Sequence, residues 1–460
     1  MSVLDSLLDF AVDTHWLQIP TGTRKHVVTL LRDAVTVAAA GDTAPGCPEL
    51  LNLVQEWQIG AGGASVLYRD MLLPPPETAM VNGTLIEAWD YDDTHDAGIV
   101  HCTASVLSTA LAICEWQGRE VAGTEFLAAV AVGLEVLARL GMASTSPLTW
   151  TRTATLGGIA SALVAARLLG LDRDRILNAA GIAYMQAAGN SQTIVDAATA
   201  KKMQVGFAAR AGTLAAMLAS RGLTGPRAIL EGAHGYYVLY ERGQHHLEAS
   251  FASLGRAWEL DNIGIKLFPC ARDTHAAIEA LLDATRGRRI GAGEVASVEV
   301  EAPQLVVDVA GRSVRATGPP AIVAAILSVP YTVAVALLEG TVQLRDFTPQ
   351  QIEQPERRSL SERVAVRVNP GAPANGLAPV SVRVHLAGGA VLEGMCTQLR
   401  TGIELARDEA ALARKREDCL QSAGQPLAPG ALARAELVLS RADQESDLPS
   451  ALIHALNASC

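Results

Sequence analysis

Leu and Ala recur at helical spacing through Thr124–Gly141, Gly157–Leu169 and Phe207–Ser220, and each run closes on glycine or a glycine-containing turn. Two of these runs end alike, in Arg-Leu-Leu-Gly-Leu at 167–171 and Ser-Arg-Gly-Leu-Thr-Gly-Pro at 220–226, which read as helix C-termini followed by a stop. Strand signals are scarce up to about residue 260. After Lys266 the period changes. Val295–Glu301, Arg363–Val368 and Val380–His385 alternate apolar and polar residues as half-buried strands do, and Gly388-Gly389 supplies a hairpin turn into 390–395. Helical runs at Asp273–Thr285 and Ala321–Leu338 lie between these strands, and from residue 400 the pattern returns to helix. The prediction is a mainly α protein with an α+β second domain: residues 1–264 form a large helical domain completed by 400–460, and 265–399 form a smaller α+β domain.

The totals fit that picture. A chain of 460 residues, 49% hydrophobic and 18% charged, has the apolar content for a large buried interior and the length for two domains. Aromatics at 4% favour closely packed helices. A net charge of −11 argues against nucleic acid as a partner, because phosphate binding needs a basic surface. The uncharged stretch from Ala316 to Leu338 is long enough to cross a bilayer, but Gly318, Pro319, Pro320 and Pro330 break it, so it reads as buried core with no membrane role. The seven cysteines (Cys47, Cys102, Cys114, Cys270, Cys396, Cys419, Cys460) are scattered without a CxxC pair, giving no support for a metal cluster. The opening MSVLDSLLDF carries acids where an exported chain needs lysine or arginine, so a cytoplasmic location with free thiols is expected.

The densest polar cluster runs from Asn82-Gly83 and Glu87 through Asp90-Tyr-Asp-Asp-Thr-His-Asp96 to His101. Its bland reading is a solvated acidic loop, with Asp93 or Thr94 capping the helix that follows. Calcium is the other reading, but the glycine and terminal glutamate of an EF-hand loop are missing. The cluster, NGTLIEAWDYDDTHDAGIVH, also resembles the signature of the MmgE/PrpD family. Further segments match in order: WTRTATLG at 150–157, Ala200-Lys201 to Gly206, GLTGPRAILEG at 222–232, Lys266-Leu-Phe-Pro-Cys to His275, and Ser328-Val-Pro-Tyr331 before a helix ending at Gly340.

The resemblance implies a helical domain and a lid domain with an active site in the crevice between them. It also implies a homodimer, a small carboxylate substrate, no metal or other cofactor, and proton transfer on carbon beside a carboxylate. The helical half independently carries more apolar surface than one layer of helices hides, which is usually buried against a copy. The resemblance places family roles on Asp90, Thr94, His101, Lys201, Lys266 and Tyr331. His101 titrates near neutrality. Lys201 has a second cation beside it, Lys202, which would lower a lysine's pKa toward use as a base. Asp90 orients one of these two or caps a helix, and Tyr331 is a general acid or a core tyrosine bonded to a carbonyl. Lys266 and Arg272 would clamp a carboxylate, or lie on the surface of the hinge. Thr151, Gln204 and Ala271 stand where the family often has histidine, so a substrate with fewer or differently spaced carboxylates than 2-methylcitrate or cis-aconitate is expected, with His95 and His234 as candidates to compensate. A lyase is the leading expectation. An epimerase using Lys201 and His101 as two bases comes second, and a binding protein without catalysis third.

Overall fold

The computed structural model describes residues 2–60, 62–315, 317–405 and 407–457. Five helices make the centre of the first half: α1 (Pro75–Glu87), α2 (Thr103–Gln117), α3 (Gly123–Ala143), α4 (Arg152–Leu168) and α5 (Met203–Ser220). The first four are buried nearly all round, so small residues, not a polar and an apolar face, set how they pack. Gly206 of α5 shows this: a Cβ there would lie 2.2 Å from Thr84 Oγ1 and 2.4 Å from the Met80 carbonyl of α1. Gly212 meets Ser161 of α4 in the same way, at 2.4 Å. The glycines of the Asn-Gly and Lys-to-Gly motifs are thus helix-crossing contacts. Asn82 is also structural, bonding Leu67 N at 2.9 Å and the Ser65 carbonyl at 3.0 Å.

The second half starts with α6 (Arg272–Thr285) and continues through β1 (Val295–Ala302), α7 (Gln304–Ala310), α8 (Val329–Glu339), β2 (Val364–Val368), β3 (Val380–Leu386) and β4 (Val391–Cys396). The sheet order is β2-β1-β3-β4, with β1 and β2 parallel and the other pairs antiparallel. The hairpin turns at Gly389, whose φ of 87° no β-branched residue would accept. Val380, Val382 and Val384 of β3 face inward, and β4 comes so close to α6 that a Cβ on Gly394 would lie 2.0 Å from the Ala280 carbonyl. The chain is therefore a mainly α protein with an α+β second part. The uncharged run expected as one buried segment is two helices, Pro319–Ile326 and α8, bent by 82° where Ser328 caps the second; Ala316 at its start lies outside the described residues.

Among the described residues one helix, α3, is long and apolar enough to cross a membrane, but 94% of its apolar window is buried inside the fold. It also carries a fully buried Glu135–Arg139 pair at its centre. The last segments return to the helical half. In α9 (Glu409–Gln421), Lys415 reaches Asp33 at 2.6 Å and the Tyr91 carbonyl at 2.7 Å, so the tail holds the acidic motif from behind. The six described cysteines are free and buried; Cys460 lies outside the described residues.

Candidate active site

The acidic motif forms a buried connection between α1 and α2. Asp90 ends the first helix with φ 52°, a left-handed conformation that aspartate tolerates better than most residues. Thr94–His95 then pair with Ile263–Gly264, which fastens the motif to the segment entering the second half. Asp93 turns inward and accepts from Cys102 N and Thr103 N, both at 3.0 Å, capping α2 from nine residues upstream. The capping expected of Asp93 is real, and it is long-range. Burial, reinforced by Asp92, pushes the Asp93 carboxyl up to about 7. Ile99, a β-branched residue at φ 52°, is strained beside it.

Around Asp90 three lysines converge. Lys201 Nζ donates to Asp90 at 2.9 and 3.0 Å and to Glu87 at 3.2 Å; Lys202 also donates to Asp90. Lys266, fully buried, donates to the Asp90 carbonyl at 2.9 Å and lies 3.7 Å from Asp92. Burial alone would push the Asp90 carboxyl up, but the three ammonium groups outweigh it and hold Asp90 well below the carboxylate range. The expected lowering of Lys201 is overturned: burial favours it, yet Asp90 and Glu87 prevail and raise the group above an ordinary lysine. The neighbouring-cation effect falls instead on Lys202, which burial and Lys201 together depress despite Asp90.

His101 Nδ1 lies 2.8 Å from the Asp93 carbonyl. A carbonyl only accepts, so Nδ1 carries the proton and Nε2 keeps its lone pair. Among the described residues Nε2 makes no hydrogen bond, and the side chain is one-fifth exposed. Burial, with the Lys266 charge added, pushes its pKa down to about 4, so the ring is neutral at physiological pH.

Of these groups Glu87, Asp90, His101 and Lys201 face one small cavity of about 90 Å³. Its wall contains Glu87, Asp90, Thr94, His101, Lys201 and Arg272, together with Thr151, Gln204 and Ala271, the three positions lacking histidine. Residues 87–205 contribute one side, and Ala271, Arg272, Asp273, Leu305, Val309, Leu327 and Leu377 the other. Arg272 is not free to clamp a carboxylate unaided: Asp96 holds it at 2.8 and 2.9 Å. Gln204 donates to Thr193 at 2.9 Å and leaves its Oε1 unpartnered.

Four of the expected residues lie elsewhere. Tyr331 is buried in the second half; its hydroxyl donates to the Asp346 carbonyl at 2.5 Å, its ring packs on Phe347, and it does not line the cavity. The Ser-Val-Pro-Tyr match reflects a helix start, in which Ser328 Oγ accepts from Tyr331 N at 3.2 Å. Tyr331 thus has the geometry of the carbonyl-bonded core tyrosine, with its hydroxyl away from the His101 cavity. His95 is buried, accepts from Gly98 N at 3.0 Å and faces Glu259, and the exposed His234 is likewise outside the cavity, so neither compensates for a missing histidine. Lys266 does not reach the wall and is neither a clamp nor a surface residue: it is a fully buried counter-charge behind it. Conversely, Glu87, Asp96 and Arg152 line the cavity without having been assigned a role. For Glu87 the signal was present, three residues before Asp90 on one helix. Among the described residues no group of three His, Cys, Asp or Glu side chains is arranged to hold a metal ion.

Comparison with known proteins decides the wider assignment. The MmgE/PrpD N-terminal domain matches residues 5–248, and the MmgE/PrpD C-terminal domain matches 268–437. The chain belongs to the MmgE/PrpD family. It is 28% identical over 295 residues to a cis-aconitate decarboxylase-like protein of Aspergillus oryzae, a match covering 61% of each chain and so less than two thirds of that relative's length. It is 28% identical over 377 residues to the cis-aconitate decarboxylase of Aspergillus terreus (76% of each chain), and 25% identical over 396 residues to the 2-methylcitrate dehydratase of Cupriavidus necator (79% of this chain, 78% of the relative). Decarboxylase and dehydratase are both lyase activities. Within this MmgE/PrpD chain the cavity described above draws on both matched domains.

Proposed function

We propose that the protein is a lyase acting on a small carboxylic acid, with His101 as base and Lys201 as acid. The observation that carries this is the His101 tautomer: an unprotonated Nε2 in a cavity whose wall also holds a lysine kept charged by Asp90 and Glu87. In dehydration, Nε2 takes a proton from the carbon beside the carboxylate. The C–H electron pair becomes the double bond, the C–O bond breaks, and Lys201 gives a proton to the departing hydroxyl, which leaves as water. In decarboxylation carbon dioxide departs first, its C–C electron pair staying on carbon, and the carbanion takes its proton from the Lys201 ammonium. Neither course requires a metal. One neutral base and one paired ammonium fit elimination better than the two free bases an epimerase needs.

The same reading includes a homodimer. Met185, Phe207 and Leu239 of the helical half are large apolar side chains 71%, 51% and 53% exposed, a liability that a second copy would remove. Light scattering at micromolar concentration is expected to give twice the chain mass; a monomer counts against the dimer. The catalytic reading is tested by proton NMR in deuterium oxide with hydroxy and unsaturated acids. Elimination or carbon dioxide release is expected, proton exchange without conversion supports an epimerase instead, and inertness of the whole set points to a binding protein.

A further inference from the structure

The cavity is divided in a way the proton chemistry does not explain. Most of its charged groups come from residues 87–205, whereas on the other side Leu305, Val309, Leu327 and Leu377 form an aliphatic stretch beside Arg272 and Asp273. Helix α7 shows how this arises. Val306 and Ala310 point into the core, which turns Leu305 and Val309, one turn apart, toward the cavity. The loop at 374 is tied to the same helix, Leu305 N donating to the Ala374 carbonyl at 2.9 Å, and brings Leu377 alongside. Leu305, Val309 and Leu377 are only half-buried, so they keep apolar surface open to the cavity that a ligand would cover.

The charge balance limits the ligand at its other end. The cations of the wall are already met by acids: Lys201 by Asp90 and Glu87, Arg272 by Asp96 at 2.8 Å, and Arg152 by Glu241 at 3.2 Å. No cation is left for a third carboxylate. A seat for one exists where two long helices begin. α4 and α6 start at Arg152 and Arg272 without a side-chain cap, and the N–H groups of Arg152, Thr153 and Arg272 make no hydrogen bond among the described residues. A second observation points to a ligand at this place: Gln204, 8% exposed and in the same wall, has an unpartnered Oε1 able to accept from a substrate hydroxyl.

Resting on the lyase reading of this cavity, we infer that the substrate is a hydroxy acid with at most two carboxylates and an alkyl branch of several carbons. One carboxylate faces the starts of α4 and α6, and the branch lies on Leu305, Val309 and Leu377. The aliphatic stretch of the wall selects for the branch, and the balanced charges select against a tricarboxylate.

Calorimetric binding of 2-methylmalate, 2-ethylmalate, 2-butylmalate and citrate to the full chain tests this, with elimination followed by NMR in the same samples. Affinity is expected to rise about fourfold per added methylene, the worth of burying that group, and citrate is expected to bind more weakly than 2-butylmalate. The Val309→Asn and Leu377→Asn variants are each expected to flatten the rise between the methyl and butyl compounds. Binding of citrate as tight as that of 2-butylmalate, a flat series in the unaltered protein, or no binding of any malate overturns the inference. Elimination from citrate with a flat series overturns it while leaving the lyase reading in place. A graded series without turnover of any compound upholds the substrate class and defeats the lyase reading.

Discussion

Two buried charged clusters occupy the two halves of this MmgE/PrpD chain, and of the two only the one around Asp90 faces the cavity that holds His101 and Lys201. Around Asp90, three lysines and His101 meet Glu87 and Asp92, and polar atoms remain without partners: Glu87 Oε2, both Asp92 oxygens and, nearby, Gln204 Oε1. Around Tyr331, Arg357 bridges Asp346 at 2.9 Å and Glu339 at 3.0 Å, and the phenol finds the Asp346 carbonyl. Both clusters sit in segments that resemble family motifs. What separates them is unspent hydrogen-bonding capacity at a cavity wall. A nearly satisfied network stabilises a fold, whereas an incompletely satisfied one held in place by surrounding structure is available for chemistry.

The strongest way to break this comparison is at His101. His101→Gln retains hydrogen bonding and removes the lone pair that accepts the proton. Turnover of the substrate identified by NMR is expected to fall by roughly two to four orders of magnitude, with the denaturation midpoint nearly unchanged. A variant with near-normal turnover removes His101 from the mechanism.

The pH profile sharpens the roles of the two groups. A base must be unprotonated, and burial holds His101 down at about 4, so the acid limb of kcat/KM is expected near pH 4, below the roughly 6.5 of a free histidine. The same depression makes the His101 contribution to stability present above about 6.5 and lost as pH falls toward 4. Lys201 must keep its proton to act as an acid, and Asp90 and Glu87 raise it, so the alkaline limb lies above an ordinary lysine. A rate that instead climbs as pH rises through about 8 to 10 would make Lys201 a free base and favour the two-base epimerase.

Lys201→Met probes the cluster as a structural unit. A catalytic lysine in an open crevice would stabilise little, but this one is 8% exposed and bonded to two carboxylates. Its loss is expected to slow turnover and also to cost about 3–5 kcal/mol of stability, the usual effect of stranding one side of a buried pair. Denaturant titration measures this, and adding Asp90→Asn should restore part of the loss. An unchanged midpoint would mean that Asp90 is sufficiently held by Lys202 and Lys266.

Much of this was legible in the chain, for identifiable reasons. The change of period near Lys266 is a local signal, and it located the sheet strands and the hairpin. The acidic motif stood out because so many charges lie between apolar helices, whereas Lys201 stood out only through the segment that resembles the family's. The sign of the Lys201 shift was not legible, because it depends on Asp90 and Glu87, more than a hundred residues away. Nor was the pairing of Arg272 with Asp96, 176 residues apart. Tyr331 failed for the opposite reason: Ser-x-x-Tyr is both a family match and an ordinary helix start, and only the position of the cavity separates the two.

The smallest expected effect is therefore the most pointed control. Tyr331→Phe removes one hydroxyl whose partner, the Asp346 carbonyl, stays beside Arg357 Nη1 at 3.4 Å. The ring still packs against Phe347 at 5.8 Å, and no side chain lining the His101 cavity changes. Losing a single buried hydrogen bond of this kind costs about 1 kcal/mol. A modest fall in the denaturation midpoint is expected, with kcat and KM within about twofold of the unaltered protein. A fall in kcat of a hundredfold at unchanged stability, in the range of a general acid, would place the Tyr331 hydroxyl in contact with substrate. The distinction drawn between the two clusters would then fail, because a satisfied hydroxyl outside the cavity would have reached the reacting atoms.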